Sequence, residues 1–77
     1  MGIKEEVFEV VSKTLDIAKA EIGEDQKLYD SIGVDSTEMV ELVVTFNKHF
    51  GVKIETNEIT KFSTLNEIVG VIEKKKG

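Results

Sequence analysis

The one stretch of this chain whose residue types and order could support chemistry is Gly33-Val34-Asp35-Ser36-Thr37-Glu38-Met39-Val40-Glu41-Leu42. Its centre, Asp35-Ser36-Thr37-Glu38, has the pattern of a helix start. Asp35 can accept a bond from the amide three residues on, and the Glu38 carboxylate can return one to the Asp35 amide. Ser36 then falls in the first turn of a helix, exposed at the end of a loop. There the backbone N–H groups lack intrahelical acceptors and the helix dipole is positive. A phosphodiester esterified to the Ser36 hydroxyl would be well housed in that setting. No base stands near Ser36 in sequence, so this serine would accept a group delivered by another protein and would not act as a nucleophile of its own catalytic site. Taken locally, the same four residues read first as a plain helix start with no chemistry attached.

The rest of the inventory excludes more than it offers. There is no cysteine and one histidine, His49, which leaves no metal-binding set. Asp25, Asp30 and Asp35 recur, but without the ligand spacing of a calcium loop. A self-contained enzyme fails on the same count, with no visible pairing of acid, base and nucleophile. His49 reads as a surface residue near a helix end, reaching toward the segment that follows Gly51.

Fifteen Asp and Glu against ten bases, all of them lysine, give a net charge of −5. A nucleic-acid binder needs a basic stripe, so this balance argues against one and favours partners with basic docking patches. The 77 residues suit a single domain over 1–77. Met1-Gly2-Ile3-Lys4-Glu5-Glu6 is polar and unlike a signal peptide. No apolar run approaches the roughly 20 residues that span a bilayer. The absence of cysteine suits a reducing cytoplasm, and a cytoplasmic monomer is expected.

Helical spacing of apolar residues dominates the chain. A first helix is expected from Ile3 to about Leu15, on Ile3, Val7, Val10, Val11 and Leu15. A long connection over 16–34 follows, pinned by Ile17, Ile22, Leu28, Tyr29 and Ile32, with a short turn of helix near Leu28 to Ile32. The second helix should start at Asp35 or Ser36 and stop at Gly51. Its broad apolar face takes in Met39, Val40, Val43, Val44, Phe46 and Phe50. A short third helix is expected over Asn57 to Lys61, capped by Thr56. A last helix should open at the capping box of Thr64 and Glu67 and bury Leu65, Ile68, Val69 and Ile72. The expected fold is all-α: three main helices plus one short one, a small four-helix bundle.

With these elements in place the chain resembles the acyl carrier protein family. The resemblance is carried by Gly33-x-Asp35-Ser36 and the acidic, apolar helix behind it. It continues through Leu28-x-x-x-Ile32-Gly33, Val40-Glu41-Leu42-Val43, Phe50-Gly51-Val52-Lys53-Ile54 and Ser63-Thr64-Leu65. It implies a 4′-phosphopantetheine arm, transferred from coenzyme A to Ser36 and holding acyl groups as thioesters, with Asp35 and Thr37 beside the attachment point. It implies a carrier for fatty-acid, polyketide or related lipid biosynthesis and not an enzyme. The implied partners are a phosphopantetheinyl transferase and acyl-handling enzymes, docking on the second helix at Glu38, Met39 and Glu41. An acyl cavity would be lined by Val40, Phe46, Ile54, Ile59, Phe62 and Leu65. The sequence departs from the family pattern at three places. Thr37 stands where leucine is usual, Asn47-Lys48-His49 where the helix end is usually acidic, and Phe46 where a smaller aliphatic is usual. An acidic interaction module without an arm, or an aminoacyl or peptidyl carrier, are the alternative readings.

Overall fold

Capping chemistry sets the element boundaries. The computed structural model describes residues 2–77 and holds four α-helices: α1 (Ile3–Leu15), α2 (Leu28–Ile32), α3 (Ser36–Phe50) and α4 (Leu65–Lys76). A single 3-10 turn stands at Lys19–Glu21, and no β-strand is present among the described residues. At the start of α3 the Glu38 N–H donates to Asp35 Oδ1 at 2.8 Å, and the Asp35 N–H donates to Glu38 Oε1 at 3.1 Å. Thr64 and Glu67 open α4 in the same way. α3 ends at Gly51, whose φ of 65° is the left-handed region that glycine enters without strain. α1 ends at Asp16, which adopts a left-handed φ of 54° despite its side chain.

The core is the shared apolar face of the three long helices. α1 packs on both α3 and α4, burying Val7, Val10 and Val11 against Leu42, Val43, Phe46, Ile68 and Ile72. Ile22, Leu28, Val34, Ile54 and Ile59 pin the connections onto it. Two residues read as part of the apolar face of α3 lie on its flank instead: Val40 is 49% exposed and Val44 46%. The buried stripe runs through positions 39, 42, 43, 46 and 50, and 40 and 44 rotate out beside it.

The short helix expected over Asn57 to Lys61 is not formed. Residues 56–59 make a turn in which the Glu58 N–H donates to the Glu55 carbonyl and the Glu55 N–H donates to the Glu58 carboxylate at 2.7 Å. Only Ile59 is buried there, and one anchor is too little to hold an amphipathic helix. The Glu55 amide, and then Lys75 at 2.9 Å, hold the Glu58 carboxyl below its usual range. A lowered folded-state value stabilises the turn above the ordinary carboxylate range, and acidification through the folded value removes that contribution. The short helix of the bundle is α2.

His49 is exposed in the last turn of α3, as expected, but it bridges to α1 and not to the segment after Gly51. Its Nε2 stands 3.2 Å from Glu6 Oε1 on α1, and its ring meets Phe50 edge-on. Asn47 clamps the turn after α3: its Nδ2 donates to the Ile54 carbonyl and its Oδ1 accepts the Ile54 N–H. No helix among the described residues is long and apolar enough to cross a membrane.

Gly70 sits exposed inside α4, where an added Cβ would meet nothing within 4 Å. Gly70→Ala is expected to stabilise the fold by about 0.5–1 kcal/mol by restricting the unfolded chain. Thermal unfolding should show a rise of roughly 2–8 °C, given a domain of this size.

Candidate functional site

The chain has four serines, and the fold distinguishes one of them. Ser12 Oγ donates to the Ile17 carbonyl, tying down the end of α1. Ser63 Oγ accepts the Thr60 N–H at 3.0 Å. Ser31 Oγ is shut inside the protein without a hydrogen-bond partner among the described residues. Ser36 is exposed and is the first residue of α3. The capping box engages the Glu38 amide, and the Met39 N–H makes the first intrahelical bond, to the Asp35 carbonyl at 3.0 Å. The amides of Ser36 and Thr37 have no intrahelical acceptor, so the end of α3 beside the Ser36 hydroxyl carries partial positive charge.

Ser36 also stands at the edge of a cleft of about 320 Å³. Met39, Val40 and Val43 of α3 form one wall, and Ile59 and Phe62 face them from the loop before α4. Thr56, Thr60 and Lys61 supply its polar edge. The loop wall is held by main-chain bonds. The Tyr29 N–H donates to the Lys61 carbonyl at 2.8 Å and the Leu28 N–H to the Ser63 carbonyl at 3.0 Å. The Phe62 N–H donates to Thr60 Oγ1.

Of the residues read from the sequence, Ser36, Met39, Val40, Ile59 and Phe62 meet at this cleft. Phe46, Ile54 and Leu65 do not: they are buried in the core and do not line the cleft. Met39 is buried and turned to the cleft, whereas it had been assigned to the docking face. Thr37 and Glu41 are exposed, and Glu38 is part-buried with its carboxylate in the capping box. Sequence reasoning missed Val43, Thr56, Thr60 and Lys61. Val43 could have been found from helical spacing, four residues after Met39 and seven after Ser36. The other three come to the cleft through loop geometry that no local pattern announces.

The implied phosphopantetheine arm is attached through a phosphodiester, and the site fits that group. It has an accessible hydroxyl, a helix end suited to negative charge, and an apolar cleft alongside. Among the described residues no cluster of His, Cys, Asp or Glu could hold a metal ion.

Comparison with known proteins agrees with this chemistry. Residues 5–72 match the family described as phosphopantetheine attachment site. An acyl carrier protein of Thermotoga maritima is 38% identical over the full length of both chains. One from Solidesulfovibrio magneticus is 32% identical over all of this chain and 99% of its own. One from Wolinella succinogenes is 33% identical over 99% of this chain and all of its own. An exposed serine at the head of α3, in a helical bundle matched from end to end by such relatives, has one explanation: this chain belongs to the acyl carrier protein family.

Proposed function

We propose that this chain, as a single domain, carries acyl groups on 4′-phosphopantetheine attached to Ser36, for fatty-acid, polyketide or related lipid biosynthesis. The observation that carries the proposal is that Ser36 is the one exposed serine and stands at both a helix amino end and the edge of an apolar cleft. The arm supplies the thiol that the cysteine-free chain lacks, and on it acyl groups are held as thioesters. The chain's own residues do the rest. Asp35 and Glu38 hold the first turn of α3 rigid, so that Ser36 is presented to a transferase in one geometry. The cleft between Val43 and Ile59 receives the apolar part of a short cargo and keeps water from it.

Partners are expected on the exposed flank of α3. There Val40, Glu41 and Val44 place apolar surface beside a carboxylate. Basic patches on the transferase and on acyl-handling enzymes would be steered to it. Glu41→Lys is the informative substitution, because Glu38→Lys would also break the capping box. It should slow association with such a partner severalfold at low salt and leave unfolding unchanged, with the difference shrinking as salt rises.

The test of the proposal is incubation with coenzyme A and a broad-specificity phosphopantetheinyl transferase, followed by intact mass and fragment mapping. One arm should be added, on Ser36. A chain that stays unmodified with several such transferases, or takes the arm elsewhere, would remove the proposal.

A further inference from the structure

Among the described residues Lys61 is the one charged residue lining the cleft beside Ser36. Its ammonium rests over two aromatic rings, with Nζ 5.2 Å from the centre of Tyr29 and 5.5 Å from that of Phe62. The rings form a tilted pair 5.9 Å apart and are half exposed, Tyr29 by 51% and Phe62 by 54%. Lys27 lies over the Phe62 ring as well, at 5.9 Å. The ion pairs of the fold use Lys4, Lys19, His49 and Lys75. Neither Lys27 nor Lys61 has a carboxylate partner among the described residues. On a chain of net charge −5, an unpaired Lys61 therefore lines the cleft that Ser36 borders, with Lys27 close by over the Phe62 ring.

We infer that Lys61 is an anion-binding residue of this cleft, whose ammonium leaves the Tyr29–Phe62 pair to bind an anion tethered at Ser36. The inference rests on Ser36 being the attachment point. A cation over exposed rings is held more weakly than one in a charge-assisted hydrogen bond to an anion. An anion brought into the cleft therefore wins the ammonium from the rings. The Lys61 backbone is held by the bond from the Tyr29 N–H, so the exchange is one that its side chain makes. The apolar walls of Met39, Val43 and Ile59 reduce solvent screening of the pair. Two anions answer to this chemistry, the phosphodiester at the root of the arm and a carboxylate at the far end of a dicarboxylic cargo. In the second case Lys61 selects cargo.

Tyr29 is the only tyrosine, and there is no tryptophan, so its ring signals and the intrinsic fluorescence report directly on the place the ammonium occupies. The unmodified chain is compared with the arm-bearing form and with two loaded forms, one carrying a short neutral acyl group and one of the same length ending in a carboxylate. Mass spectrometry first establishes modification of Ser36, so failure of loading counts against the attachment reading alone. In the wild type the Tyr29 ring resonances and emission should shift. A shift already present with the arm alone identifies the phosphodiester as the anion; a shift confined to the carboxylate cargo identifies the cargo. Lys61→Met, which keeps the apolar stem, should lose most of the shift, and Lys61→Arg should retain it. Loaded forms in which Tyr29 is unchanged throughout, or a Lys61→Met chain that shifts as the wild type does, would overturn the inference.

Discussion

Ser36→Ala is expected to abolish arm loading completely while leaving the fold intact. The hydroxyl is the attachment atom of the proposed carrier, and no neighbouring group replaces it. Ser31 is the nearest other serine in sequence, but its Oγ is enclosed by the protein, and the exposed neighbour Thr37 offers only a secondary hydroxyl. The cap of α3 is the Asp35 side chain and not Ser36, and an exposed first-turn residue changed to alanine shifts stability by no more than about 0.5 kcal/mol. Intact mass after incubation with coenzyme A and transferase should therefore show no addition, on a chain whose thermal unfolding overlays the wild type. Two companions make the result specific. Ser31→Ala removes a buried hydroxyl that has no partner, so it should load normally and be no less stable. Asp35→Ala breaks the capping box and should cost about 0.5–2 kcal/mol, with loading slowed and not lost. Residual loading of Ser36→Ala would mean that another hydroxyl is the true acceptor.

The helices were readable because their boundaries are written in adjacent residues. Asp35 with Glu38, Thr64 with Glu67, and Gly51 each fix an end through bonds that span only a few positions. The serine was readable for the same reason, since its place in the first turn follows from the cap before it. What lay beyond reach depends on contacts between distant parts of the chain. The segment after Thr56 has residues that tolerate a helix, yet Glu55 and Glu58 satisfy each other in a turn and Lys75 on α4 holds it there. Tyr29 was expected to help pin the long connection, but it is half exposed and stands beside Phe62 at the surface, its amide bonded to the Lys61 carbonyl. That same bond brings Lys61 to the cleft. The departure at Asn47-Lys48-His49 proved structural in two of its three residues: Asn47 clamps Ile54, and His49 meets Glu6 on α1.

Phe46→Ala carries the largest expected effect on stability. The Phe46 ring is fully buried between the long helices and packs on Phe50 with ring centres 6.3 Å apart. Truncation of such a side chain costs about 3–5 kcal/mol, from lost transfer energy and from the void left behind. A chain of this length is stable by about 4–12 kcal/mol in all, so the variant keeps little margin. Its melting temperature should fall by roughly 12–40 °C, on the usual scale for a small domain. The position of the ring adds a second consequence. Met39 and Val43 line the cleft, and Phe46 is the next residue on the same face of α3, three after Val43 and seven after Met39. Phe46 does not itself line the cleft, but as the next buried side chain along that face it is expected to limit how far a cargo can be sheltered beyond Met39 and Val43. In the wild type, thermal stability of the loaded chain should rise with acyl length only until the cleft is filled. In Phe46→Ala the dry apolar void extends that space, and longer acyl chains should keep adding stability and recover part of the loss. Phe46→Leu should fall between the two in both respects. A variant that is destabilised yet shows the same dependence on acyl length as the wild type would place the limit elsewhere than at Phe46.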